Sequence, residues 1–195
     1  MSAPAAERTM TARQEVRTSR KILLITSSSR QGSTTERLGR LMAGAVRASG
    51  LDADLVNVGE LGLPWCTGTA EQASDEAVQQ WRRRVAEAVA YVWVSAEWHG
   101  SMTGTLKNSL DLLAERDLRW KVVALVAQAG GALGASNALA HMRTVAQNLG
   151  AWVLPVELSV TSEEVRGTLN PSSAERVTRI ARELGDAVSK LDRYL

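Results

Sequence analysis

Residues 21–46 read KILLITSSSRQGSTTERLGRLMAGAV, and three kinds of segment meet in them. Ile22, Leu23, Leu24 and Ile25 form an unbroken apolar run, as a buried strand does. Leu38, Leu41, Met42, Ala45 and Val46 then recur at the spacing of one helix face. Between the two lies Ser27 to Thr35, a loop crowded with hydroxyls that also holds Arg30 and Gly32. A helix beginning where that loop ends turns backbone N–H groups without intrahelical acceptors, and the positive end of its dipole, toward the loop. Hydroxyls can donate to phosphate oxygens, and a guanidinium binds them through two parallel hydrogen bonds. The loop therefore reads as a phosphate site after a first buried strand. The same residue types would also serve as a plain helix cap.

Working outward, apolar and amphipathic segments alternate to the end of the chain. Strands are expected over 21–27, 53–58, 89–95, 121–127 and 152–156, and helices over 34–49, 74–88, 103–114, 134–149 and 172–192. KILLITS, VAYVWVS and KVVALVA are near-continuous apolar runs rich in Val, Ile or Leu. Strands buried on both faces have this composition, so the sheet is parallel and covered by helices on each side. Asp75 and Glu76 place acidic groups in a first helical turn, and Asn170-Pro171-Ser172 opens the last helix. Gly50 and Gly150 stand where the first and fourth helices end. Five β-α units predict a doubly wound open sheet of strand order 2-1-3-4-5.

A chain of 195 residues supports one full core rather than two. With 23 basic and 21 acidic side chains the net charge is only +2, which excludes a nucleic-acid surface built on bulk charge. No apolar segment approaches the roughly 20 residues of a membrane span. Residues 1–19 are polar and lack the apolar centre of a secretion signal, so they read as a flexible arm or a strap across a partner, with the domain over 20–195. A cytoplasmic location follows. Cys66, the single cysteine, reads as a buried or incidental thiol, and His99 and His141 alone do not suggest a metal site.

In such a sheet ligands bind beyond the carboxyl ends of the strands, where the first and third are neighbours. Two more loops therefore matter. The second is Ala96-Glu97-Trp98-His99-Gly100-Ser101-Met102-Thr103-Gly104, where Trp98 offers a flat stacking surface. His99 would either titrate near neutrality beside a ligand or be a solvated loop histidine. Asn108 and Asp111, one helical turn apart, suit a structural tie to one another or to that loop. The third loop, Gln128 to Ser136, places Gly130, Gly131 and Gly134 where backbone must come close to something, or where the chain simply turns. Phosphate loop, aromatic plate and bare backbone together describe a pocket for a flat phosphorylated heterocycle, and FMN fits best.

On these loops the chain resembles the NADPH-dependent FMN reductase family, flavodoxin-like enzymes with a three-layer α/β sandwich that include flavin, quinone, azo-dye and chromate reductases. The resemblance spans about residues 20–190. The family's phosphate loop runs Gly-Ser-x-Arg-x-x-Ser-x-x, and Ser27 to Thr35 matches it except that Ser27 stands at the leading glycine. It implies that Ser28, Arg30, Ser33 and Thr35 hold the FMN phosphate within a loop completed by Gly32 and Thr34. The family's Pro-Glu-Tyr-x-x-Ser and Leu-Lys-Asn-x-x-Asp motifs correspond to Ala96-Glu97-Trp98-His99-Gly100-Ser101 and Leu106-Lys107-Asn108-Ser109-Leu110-Asp111. Ala96 replaces the usual proline, and Trp98 replaces a tyrosine and so lacks its phenol hydroxyl. Gly130-Gly131 matches a turn beside the flavin pyrimidine.

The resemblance implies an enzyme moving electrons from NADPH or NADH through bound FMN to a small acceptor: a quinone, an azo compound, a metal oxyanion or free flavin. Backbone N–H groups near Trp98, His99, Gly130 and Gly131 would face the ring, and His99 is the one candidate catalytic side chain. A free-FMN reductase supplying a flavin monooxygenase is an alternative. So is a flavodoxin-type electron carrier, although the near-neutral charge lacks the docking field such carriers use, and so is a flavin-binding module without turnover. The family assembles as homodimers or homotetramers; Trp65, Trp81 and Trp120 suit either an interface or the core.

Overall fold

The computed structural model describes residues 20–131 and 134–191; the expected arm over residues 1–19 lies outside them. The elements, in chain order, are β1 (Lys21–Thr26), α1 (Thr34–Ala48), β2 (Asp52–Asn57), α2 (Glu76–Glu87), β3 (Ala90–Ala96), α3 (Gly104–Asp111), α4 (Glu115–Leu118), β4 (Val122–Ala129), α5 (Ser136–Asn148), β5 (Trp152–Thr161), α6 (Ser162–Arg166) and α7 (Pro171–Leu191). All strand pairs are parallel, and the order is β2-β1-β3-β4-β5, as the alternation of elements predicts.

Successive side chains of a strand point to opposite faces, and β1 divides its apolar run accordingly. Leu23 and Ile25 join one core cluster with Tyr91, Trp93, Leu125 and the inner faces of α2, α3 and α5. Ile22 and Leu24 join the other with Val92, Val94, Val126 and the inner faces of α1 and α7. Residues of β3 and β4 are buried throughout, whereas edge strand β5 alternates. Burial on both faces is what requires the unbroken apolar runs of the central strands.

The main difference from expectation lies in β5, which runs ten residues, to Thr161, rather than ending at 156. Pro155 cannot donate to a ladder, but β5 is an edge strand, and its pairing with β4 shifts register between Val123 and Leu125, where Val153 and Glu157 are the partners. The bulge absorbs the proline, and the strand continues into α6, a helix that the sequence pattern does not predict.

Helix ends follow capping chemistry. Ser33, Asp75 and Thr103 accept hydrogen bonds from the third residue of α1, α2 and α3, and Asn170 caps the start of α7 through Ser173 N–H at 2.8 Å. Gly50 and Gly150 have positive φ just past α1 and α5. Arg84 grips Asp54 with two hydrogen bonds, of 2.9 and 2.6 Å, joining α2 to β2. Those bonds hold the Asp54 carboxyl below its ordinary range against the opposing effect of its partial burial.

Among the tryptophans, Trp81 is core and donates to Ser109 O at 2.9 Å, while Trp65 and Trp120 are 76% and 50% exposed. Cys66 is exposed rather than buried. Asn108 does have a structural task, but not toward Asp111 or the loop preceding its helix. Its side chain donates to Pro64 O at 2.9 Å and accepts from Cys66 N–H at 2.8 Å, pinning the segment after β2, while Asp111 pairs with Lys107. No helix among the described residues is long and apolar enough to cross a membrane.

Gly39 lets α1 lie directly on β1, because a Cβ there would be driven into the buried methyl of Thr26. Gly39→Ala is expected to destabilise the fold by about 1–3 kcal/mol, the usual cost of overpacking. Thr26→Ser in the same chain removes the methyl, keeps the hydroxyl bonded to Val56 O, and should restore most of the loss. Urea unfolding of the two variants and the parent tests this; an unchanged midpoint in Gly39→Ala would show that α1 moves away at no cost.

Candidate active site

The loops after β1, β3, β4 and β5 converge on one cavity of about 650 Å3 at the carboxyl edge of the sheet. Of the residues singled out from sequence, Ser28, Arg30, Ser33, Thr34, Thr35, Glu97, Trp98 and Gly130 line it. Gly32, His99, Gly100, Ser101 and Gly131 do not.

The first loop is held from beneath. Asn57 at the end of β2 receives Ser28 N–H on its side-chain oxygen at 3.1 Å and donates back to Ser28 O at 2.7 Å. Gly59 completes that contact, because a Cβ there would stand 2.5 Å from Ser28 O. Ser33 caps α1 by accepting from Glu36 N–H at 3.1 Å, so the capping role is realised while its own proton stays free for a ligand. Gly32 supplies a turn at φ +68° and spends its N–H on the Glu36 carboxylate at 2.9 Å. The amides of Thr34 and Thr35, in the first turn of α1, have no intrahelical acceptor. Arg30 is exposed on the cavity wall.

Ser27, the departure from the family's glycine, is buried and knits two loops together. Its hydroxyl accepts from Thr103 Oγ1 at 2.8 Å and donates to Val94 O at 3.3 Å, and Thr103 in turn caps α3.

The second loop closes as a two-residue turn. Trp98 N–H donates to Ser101 O at 2.9 Å, and Ser101 N–H donates to Trp98 O at 3.1 Å. His99 at φ +50° and Gly100 at φ +76° supply the left-handed pair that such a turn requires. The Trp98 amide is thus engaged and does not face a ring, contrary to expectation. Its indole is 66% exposed at the cavity rim, with the His99 ring edge-on at 6.4 Å. Ser101 turns the other way, to His141 Nδ1 at 2.9 Å. Glu97 lines the cavity, but its carboxylate is committed to the start of α5, accepting from Ala138 N–H at 2.9 Å and Asn137 Nδ2 at 3.4 Å.

Ser162 and Arg166 line the cavity from a segment the sequence pattern passes over, and Gln128, the first residue of the third loop, was not singled out within it. Gln128, buried at the end of β4, donates to Thr35 Oγ1 at 3.3 Å and accepts from Ser162 Oγ, while its backbone carbonyl receives Glu97 N–H at 2.8 Å. Ser162 and Arg166 come with α6, which the expected end of β5 at 156 leaves out. A Thr-x-x-Glu capping pattern at Thr161–Glu164 was the available signal. The Glu164 carboxyl lies below its ordinary range, chiefly because Thr161 N–H donates to it, with Ser173 and the Thr161 hydroxyl adding to the effect.

A sequence model of the NADPH-dependent FMN reductase family matches residues 20–164. An NADPH azoreductase of Bacillus sp. (strain OY1-2) is 28% identical over 165 residues, covering 84% of this chain and 90% of its own. A 2-hydroxy-1,4-benzoquinone reductase of Burkholderia sp. is 27% identical over 164 residues, covering 82% and 88%. Among solved structures, a flavoenzyme NAD(P)H:(acceptor) oxidoreductase from Paracoccus denitrificans superposes with a TM-score of 0.73 at 18% identity, over 88% of this chain and 98% of that one.

Because the Glu164 carboxyl is more acidic when folded, its stabilisation is complete above the unfolded value of about 4.3 and fades as pH falls through the lower folded value. Glu164→Gln should therefore lower the urea midpoint at pH 7 and converge with the parent toward pH 3. A constant gap between the two proteins across that range would show that the charge contributes nothing.

Proposed function

Because the chain belongs to the NADPH-dependent FMN reductase family, an enzyme family of FMN-dependent NAD(P)H oxidoreductases, we propose that it retains FMN between turnovers and reduces flat quinoid or azo compounds. The observation that carries this reading is that one cavity runs from the hydroxyls, Arg30 and first-turn amides of α1 to the open indole of Trp98. That donor set suits a phosphate monoester attached to a flat ring. Gly104 and Gly130 line the cavity with nothing within 4 Å of where a Cβ would stand, so any side chain there would take ligand space.

In this reading Arg30, Ser33, Thr34 and Thr35 bind the phosphate, and the Ser28 backbone is fixed in advance by Asn57 and Gly59. Binding then orders little further chain, which favours a retained cofactor over one released as product. FMN supplies the two-electron chemistry between nicotinamide and acceptor, while the chain's residues orient the rings and limit water. His99, held in a turn outside the cavity lining, needs no chemical role. A homo-oligomer belongs to the same reading, since the exposed Trp98 and the groove over Met102 and Val145 suit closure by a second copy. A cytoplasmic location is likewise part of it, and neither a flavin monooxygenase nor a protein redox partner is required.

The purified protein should show flavin absorbance, or quench added FMN fluorescence, and oxidise NADPH with menadione or an azo dye without any added protein. Arg30→Ala should weaken FMN binding by about tenfold or more, as loss of a charge-assisted hydrogen bond does. A colourless protein that leaves FMN fluorescence unchanged would overturn the reading. Strict dependence on a large excess of free FMN would favour the free-flavin reductase instead.

A further inference from the structure

We propose that Arg166 is a second phosphate-binding guanidinium of the pocket, acting on the FMN phosphate together with Arg30. This rests on the reading that the cavity holds FMN. Arg166 ends α6 and lines the same cavity as Ser28, Arg30, Thr34 and Thr35.

Its position is set from the phosphate end of the pocket. Ser162 at the start of α6 bonds to Gln128, which bonds to Thr35 in the first turn of α1. At the other end of α6, Arg37 of α1 donates to Gly167 O at 3.5 Å. The short helix is thus tied at both ends to α1, whose N-terminus is the anion site, and its fixed contacts lie on that side rather than beside Trp98.

Charge supplies the second reason. Among the described residues neither Arg30 nor Arg166 has a carboxylate partner within ion-pair distance. Of the acids nearby, Glu164 is bound by Thr161, Asn170 and Ser173, Glu36 by Gly32 and Arg40, and Glu97 by the start of α5, while exposed Glu163, one turn before Arg166 on α6, forms no ion pair with it. A phosphate monoester carries about −1.5 to −2 at pH 7, so one guanidinium leaves it under-neutralised and two match it. Riboflavin, which lacks the phosphate, gives Arg166 nothing to bind.

Titration of the full chain, freed of flavin, with FMN and with riboflavin by fluorescence quenching tests the assignment. Arg166→Ala should raise the Kd for FMN by about tenfold and leave that for riboflavin unchanged. Arg166→Lys, which keeps the charge but not the fork, should recover part of the loss. Unchanged FMN affinity in Arg166→Ala, with the parent preferring FMN to riboflavin, overturns the role of Arg166 alone. It is overturned equally where only the preference for NADPH over NADH shifts, because Arg166 would then serve the nucleotide's phosphate. A parent protein that binds FMN no better than riboflavin overturns the reading of the pocket, and this proposal with it. Thermal unfolding of each variant checks its fold; should Arg166→Ala fail to fold, Arg166→Gln takes its place.

Discussion

The side chain of Gln128 is the interaction on which the pocket depends. It is buried at the end of β4, where an amide without partners would cost about 1–3 kcal/mol. Both of its ends are satisfied, and each partner belongs to a different loop: Thr35 from the turn after β1, and Ser162 from the segment after β5. The backbone carbonyl of the same residue receives Glu97 N–H from the loop after β3. One residue at the middle of the sheet edge therefore sets the spacing of all four walls. Removing either neighbour would leave a buried polar group unpaired, so the loops are specified together.

The sheet beneath was legible because its demands are simple. A strand covered on both faces needs a near-continuous apolar run, and residues 22–25, 90–94 and 122–127 have one. Its order followed from the alternation of strands and helices. The last strand looks short in sequence because Pro155 normally ends a ladder; an edge position and a register shift remove that objection, and neither is visible without the partner strand. The rest of the strand, α6 and Arg166 are hidden with it, and the readable pattern resumes only where Asn170-Pro171 opens the last helix.

The candidate site was legible to the extent that its chemistry is local. Ser28 to Thr35 combine loop, cap and cation within one turn, and Trp98 follows a buried strand. Residues whose task is defined by distant neighbours were not. Glu97 lies at the pocket, yet its carboxylate is taken up by the first turn of α5, about forty residues on in sequence. His99 has the pattern of a catalytic histidine and the backbone of a turn residue, for φ +50° is what the Trp98–Ser101 bridge imposes. Asn57 and Gly59, which fix Ser28, lie in a strand end and a tight turn with no motif to mark them.

Ser27 shows how a departure from a family pattern can be absorbed. A glycine at this position leaves open space; serine fills it with a hydroxyl that is buried and must find partners. It finds them in Val94 O and in Thr103, which is itself the cap of α3. The first and second loops are thereby tied directly, side chain to side chain, where the usual proline that would stiffen the second loop is replaced by Ala96. A rigid backbone constraint is lost at one end of that loop while a hydrogen-bonded one is present at the other. The consequence is that the loops after β1 and β3 are joined through the hydroxyls of Ser27 and Thr103, while the indole of Trp98 stands exposed at the cavity rim.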